Sequence, residues 1–135
     1  MKCFFDTNVL LDILADREPF AKASKAALTR ATTGENCAVA SVLSFWNLAY
    51  LLRKLLPRDK LRETLCLLAK TAKPVEVSSK TLEKAFASNG PDFEDAIQIA
   101  CAIDAGAEVI VTRDIEHFKG CPLPVLSPLS FVLLD

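Results

Sequence analysis

The sequence predicts an α/β domain, a three-layer sandwich in which a central parallel sheet is flanked by helices. Three observations predict it. Short strand-like runs and helix-period segments alternate from one end of the chain to the other, the order that stacks helices on both faces of a parallel sheet. The strand-like runs are short and largely apolar, as strands buried inside such a sandwich are. The 135 residues, 51% of them hydrophobic, give one domain and enough apolar material for one core without staples.

The elements follow in order. Residues 2–5 (Lys-Cys-Phe-Phe) form a buried strand that ends at Asp6. Asp6, Thr7 and Asn8 are consecutive helix-capping residues, and Val9, Leu10, Ile13 and Leu14 follow at helical spacing. An alanine-rich helix over 20–32 stops at Thr-Thr-Gly, and 37–40 is a second strand ending at Ser41. The helix from Val42 to Lys54 is apolar on most sides, and another spans 59–71. Residues 74–77 read as a strand and 78–88 as a helix, before a break at Asn89-Gly90-Pro91. A helix opens at Asp92-Phe-Glu-Asp and ends near Gly106, and 108–111 is the clearest parallel-type strand, running into Thr112-Arg113-Asp114. Residues 123–126 make an edge strand, where Pro124 is tolerated, and 127–133 a terminal turn or helix.

Composition bounds the function. With 16 basic and 17 acidic residues the net charge is −1, so no global positive field draws in nucleic acid. A local basic patch or bound metal ions would have to supply that attraction. The five cysteines (3, 37, 66, 101 and 121) are scattered without a C-x-x-C pair, which reads as reduced, structural thiols rather than zinc ligands or a disulfide framework. With neither a secretory segment nor a membrane-length apolar run, a cytoplasmic location is expected.

Three acids stand out by position. Asp6 and Asp114 end strands, and Asp95 lies in the first turn of the helix between them, so all three can face one crevice. Clustered carboxylates suit hard divalent cations such as Mg²⁺ or Mn²⁺, which activate water and offset charge on a phosphodiester. Each acid also has a plain structural role, as a cap or as a partner of a helix dipole. Carboxylates alone leave nuclease, phosphatase and receiver-like readings open. A Ser/His/Asp arrangement and a Gly-rich phosphate loop are both missing from the sequence, which excludes triad hydrolases and P-loop enzymes.

Three segments in order resemble the PIN domain family: Phe-Phe-Asp-Thr-Asn-Val-Leu-Leu-Asp (4–12), Asp-Phe-Glu-Asp-Ala-Ile-Gln (92–98) and Val-Thr-Arg-Asp-Ile-Glu-His-Phe (111–118). Each alone is weak, but the ordered set spans nearly the whole chain. The resemblance implies a Rossmann-like fold and a metal-dependent endoribonuclease, with the VapC-type toxins of toxin–antitoxin pairs as its small bacterial and archaeal members. It implies RNA as substrate and an antitoxin as partner. Carried over residue by residue, Asp6, Asp95 and Asp114 match the metal-binding acids that do the catalysis. Thr7 and Asn8 match residues that shape the site, and Thr112 the polar residue before the last acid.

One position departs from the pattern. The family places Glu six residues after a strand-end Ser, and here Ser41 is followed at that spacing by Asn47, as in a subgroup sharing the Asp-Phe-Glu-Asp segment. An amide can ligate through its carbonyl oxygen but brings no charge. Asp92, three residues before Asp95 on one helical face, is the better compensating ligand than Glu94. This departure motivates the rival reading of a catalytically weak PIN-like module that binds RNA or protein. Asp12 reads as a helix-surface charge, with an acid that supports the site from behind as the alternative, and His117 as a surface loop residue, with a general base in a metal-free site as the alternative. Arg113 is placed to meet an RNA phosphate or to lie in solvent. Trp46, Tyr50 and the Leu-rich 48–56 segment read as core packing, with a homodimer or antitoxin-docking face as the alternative.

Overall fold

The computed structural model describes residues 1–89 and 92–135. Gly90 and Pro91, two of the three residues of the expected break, lie outside them. Five strands form one sheet: β1 (Lys2–Phe5), β2 (Cys37–Ser41), β3 (Ala72–Val75), β4 (Val109–Val111) and β5 (Val125–Leu126). The order is β3-β2-β1-β4-β5 and every pairing is parallel. The helices are α1 (Thr7–Leu14), α2 (Ala21–Ala31), α3 (Val42–Leu52), α4 (Arg58–Thr71), α5 (Ser79–Ala87), α6 (Phe93–Asp104) and α7 (Pro128–Val132). A turn of 3-10 helix covers Ile115–Phe118.

Alternation along the central strands sends side chains into two cores. Cys3 and Phe5 of β1, Ala38 and Ala40 of β2, and Val109 and Val111 of β4 face one layer, with Leu10, Leu28, Leu48, Leu68 and Phe131 from the helices. Phe4, Val39 and Ile110 face the other, where they meet Cys101 and Ala102 of α6 and Phe118. The three-layer parallel sandwich therefore matches the architecture expected from the alternation of elements. Both prolines sit where the ladder tolerates them: Pro74 in edge strand β3 and Pro124 just before edge strand β5.

The third strand departs from the expected 74–77. It starts at Ala72, directly after α4, because residues 72–75 register against Ala38–Ser41. Val77 lies past the ladder but still packs on the second core.

The long apolar helix is a larger correction. On α3, Leu48 and Leu52 are buried, but Trp46 is 75% and Tyr50 61% exposed. Val42, Trp46 and Tyr50 recur every four residues and form an outward stripe, which Leu51 and Leu55 extend. The core-packing reading fails for both aromatics, because one layer of a small sandwich can cover only one face of this helix. Among the described residues, no helix is long and apolar enough to cross a membrane.

Candidate active site

The site begins where two neighbouring strands leave the sheet. Phe5 of β1 pairs with Val111 of β4, and the Asp6 N–H donates to the Val111 carbonyl at 3.0 Å. Chain order reverses here: β1 leads to β2 and β3 on one side, and β4 and β5 lie on the other. The carboxyl ends of strands at such a switch point open into a crevice that helices cannot fill.

Asp6 is buried and caps α1, its Oδ1 accepting the Thr7 N–H at 2.8 Å. The Thr112 hydroxyl donates to Oδ2 at 2.7 Å and the Gln98 amide to Oδ1 at 3.2 Å. Burial pushes the Asp6 carboxyl above its ordinary range, and the donors from Thr112, Gln98 and Thr7 offset only part of that. Gln98, itself buried, also donates to Ser44 Oγ at 3.1 Å and accepts from the Ser41 hydroxyl at 2.7 Å. Ser44 Oγ lies 2.7 Å from Thr7 Oγ1. This closed network fixes the orientation of the first acid, since every member has a partner.

On the β4 side, the Asn8 amide donates to Asp114 Oδ2 at 3.0 Å and its carbonyl accepts the Arg113 N–H at 3.3 Å. Thr112 Oγ1 accepts the Asp114 N–H at 3.1 Å. Asp6, Thr7, Asn8, Thr112 and Asp114 thus form one bonded set.

Asp95 enters from α6, which Asp92 caps through the Glu94 N–H at 3.1 Å. Its carboxyl is pushed up to about 6, chiefly by burial and then by the charges of Asp6 and Asp92, with His117 opposing. Its Oδ2 is shielded from solvent and makes no hydrogen bond. His117 Nδ1 stands 3.4 Å from that oxygen and 4.0 Å from Asp114 Oδ2. One donor atom each from Asp92, Asp95 and His117 lie within 4.8 Å of one another. Among the described residues no Lys or Arg pairs with Asp6, Asp95 or Asp114. A buried orphan oxygen among mutually repelling carboxylates is a donor set that fits a divalent cation, with His117 as a nitrogen donor beside the oxygens.

Other residues fall elsewhere. Asn47 lies one turn beyond Ser44 on α3, half-buried, and takes no part in the hydrogen bonds described. Glu94 contributes its backbone N–H. Asp12 is not a surface charge: it is fully buried, with Arg17 Nε at 3.0 Å and Arg113 Nε at 2.5 Å. The Arg113 guanidinium, also 3.9 Å over the Phe20 ring, is turned away from the acids. His117 is half-exposed but faces the cluster, so it is more than a loop residue. Gln98 had a readable signal, a polar side chain among isoleucines and alanines one turn past Asp95.

The fold and site define a class: an α/β domain with an acid-lined crevice at the switch point of a parallel sheet. A PIN domain family model matches residues 2–116. The chain belongs to the PIN domain family. Solved structures agree in fold. A toxin–antitoxin complex from Klebsiella pneumoniae is similar with TM-score 0.72 and 25% identity, covering 93% of this chain and 97% of that one. VapBC-1 from nontypeable Haemophilus influenzae gives TM-score 0.72 at 14% identity, covering 95% and 98%. VapC20 of Mycobacterium tuberculosis, described as a Sarcin-Ricin loop cleaving toxin, gives 0.68 at 13%, covering 87% and 95%. A stretch of 63 residues is 32% identical to large ribosomal subunit protein uL22 of Helicobacter hepaticus. It takes in 47% of this chain, which spans about a third (32%) of that relative's length, too little to carry a family or a function.

Proposed function

We propose that this chain is a metal-dependent endoribonuclease acting as the toxin of a toxin–antitoxin pair. The observation that carries the reading is the convergence of Asp6, Asp95 and Asp114 on one crevice without a Lys or Arg partner among the described residues. Membership of the family and the toxins among its structural neighbours support the nuclease and antitoxin parts. Asp6, Asp95 and Asp114 are the residues that would hold Mg²⁺ or Mn²⁺, with Asp92 and His117 beside them. Such an ion supplies charge neutralisation at a phosphodiester and makes water more acidic.

The protein's own part is positioning. Gln98 and Thr112 hold Asp6 in one orientation, and Asn8 does the same for Asp114. Thr7 and Asn8, both partly exposed, offer polar side chains on which a phosphate would rest, whereas Thr112 is buried beneath them. Arg113 is engaged by Asp12, so its part is to steady the loop that carries Asp114. Purified protein with Mg²⁺ or Mn²⁺ is expected to cut RNA, and Asp6→Asn to lower the rate at least about 100-fold. Equal cutting by the variant would reject the assignment.

Asn47 favours a second reading, a weakly catalytic module that binds RNA or protein. Under it Asn47→Glu raises Mn²⁺ affinity and cutting together, because it adds a carboxylate. If the native chain already cuts at full rate and the variant gains nothing, that reading falls.

A further inference from the structure

A recess with an apolar floor opens beside the acids rather than among them. A cavity of about 490 Å³ lies between α5, α6 and the loop after the 3-10 turn. Its floor is α6: Ala96 and Ala100 on one line of the helix, Ile99 and Ile103 beside them. The two alanines project only a methyl group, so a flat ring can lie close to the helix, alongside the isoleucines. Asp92 and His117 stand at the mouth, and both also belong to the acid cluster. A chain whose phosphate sits at the acids therefore has its next base within reach of the recess. Lys84 and Lys119 line its outer rim. Each is paired with a surface acid, Asp104 and Glu116, yet both remain more than half exposed.

Resting on the nuclease reading, we propose that this recess is a base-binding subsite, which takes one unstacked nucleobase of a single-stranded RNA next to the phosphate held at the acids. A volume of this size holds a base with part of its ribose, within the ~300–1,000 Å³ usual for ligand pockets. Single-stranded RNA is recognised by splaying bases onto apolar or aromatic surfaces, a contact tolerant of sequence until polar groups read the base edge. Ser88 and Asn89 supply such polar groups at the wall. The arrangement also answers the charge problem. With net charge −1 the protein cannot hold RNA by its overall field, and stacking in a pocket draws in a polyanion without positive charge.

The experiment uses the full chain carrying Asp6→Asn, so that RNA is bound without being cut. Affinity is read by fluorescence anisotropy for a short single-stranded oligoribonucleotide of mixed sequence, and for copies made abasic at each position in turn. One abasic position is expected to weaken binding about tenfold. Ile103→Trp narrows the recess from its exposed end, where the fold tolerates a larger ring, and is expected to cost as much and to abolish the difference between abasic and intact RNA. Ala100→Phe, deeper in the recess, repeats the test, with circular dichroism reporting folding. Equal binding of all abasic copies, or an unchanged preference in Ile103→Trp, overturns the proposal. Cutting by the native chain with Mg²⁺ or Mn²⁺ is scored separately. Cutting without base dependence removes the subsite alone, and base-dependent binding without cutting removes the nuclease reading alone.

Discussion

Asp95 is the side chain where the chemistry of the crevice is most measurable. Burial, and then the charges of Asp6 and Asp92, push its carboxyl from the ordinary 3.8 up to about 6. At low pH the folded and unfolded chains both hold the proton. Between about 4 and 6 only the folded chain does, so metal-free stability falls as pH rises through this window and the loss is complete above it. Asp95→Asn is therefore expected to stabilise the metal-free protein by an amount of order 2 kcal/mol at neutral pH and by little near pH 4. Urea denaturation in the presence of a chelator measures both. Asp12 makes the opposite case. Its fully buried carboxylate meets two arginines, so Asp12→Ala is expected to cost about 3 kcal/mol, the low end for breaking a buried pair because both guanidinia keep contact with water. The sequence hid this role, since Arg113 lies 101 residues away and nothing local marks Asp12 as buried. The three acids were legible because strand ends and helix starts carry functional groups in α/β folds; Gln98 showed in the sequence only as a polar residue among apolar ones, since its role rests on tertiary contacts with Ser41, Ser44 and Asp6.

At the scale of elements, the caps show how local stability and the site share residues. Ser41 and Ser127 both cap a helix, α3 and α7, each accepting the N–H three residues on at 3.1 Å. Only Ser41 is buried, and it also satisfies Gln98 Oε1. Ser127→Ala is expected to cost about 1 kcal/mol, the value of a cap. Ser41→Ala adds a buried unpaired oxygen and is expected to cost about 2 kcal/mol more. Thermal unfolding of the two variants side by side checks the difference. Elements themselves were legible from periodicity and capping residues, with the terminal strand pinned by Pro124 to an edge. The third strand was misplaced because its start is set by pairing with β2, not by its own composition.

Across the whole molecule, the sandwich leaves one apolar stripe uncovered. Val42, Trp46 and Tyr50 on α3 are large and outward, a patch that soluble chains seldom leave bare. Trp46→Glu is expected to leave the melting temperature within a few degrees, since substitutions at exposed positions seldom exceed about 0.5 kcal/mol. It should also lower self-association in analytical ultracentrifugation. Unchanged sedimentation would show that the stripe does not join two copies of this chain. Sequence could name the aromatics but not their side, because a helix apolar all round gives no period to separate a core face from a docking face.

The uncompensated acids have a thermodynamic corollary. On the nuclease reading, a polyanion entering a crevice lined by Asp6, Asp95 and Asp114 would meet repulsion that a cation removes, so RNA and metal would bind as mutual effectors. By linkage, whatever factor Mg²⁺ or Mn²⁺ adds to RNA affinity, RNA must add to metal affinity. On the nuclease reading the protein holds its cation more tightly with RNA present than alone, and a metal titration with and without RNA measures that factor.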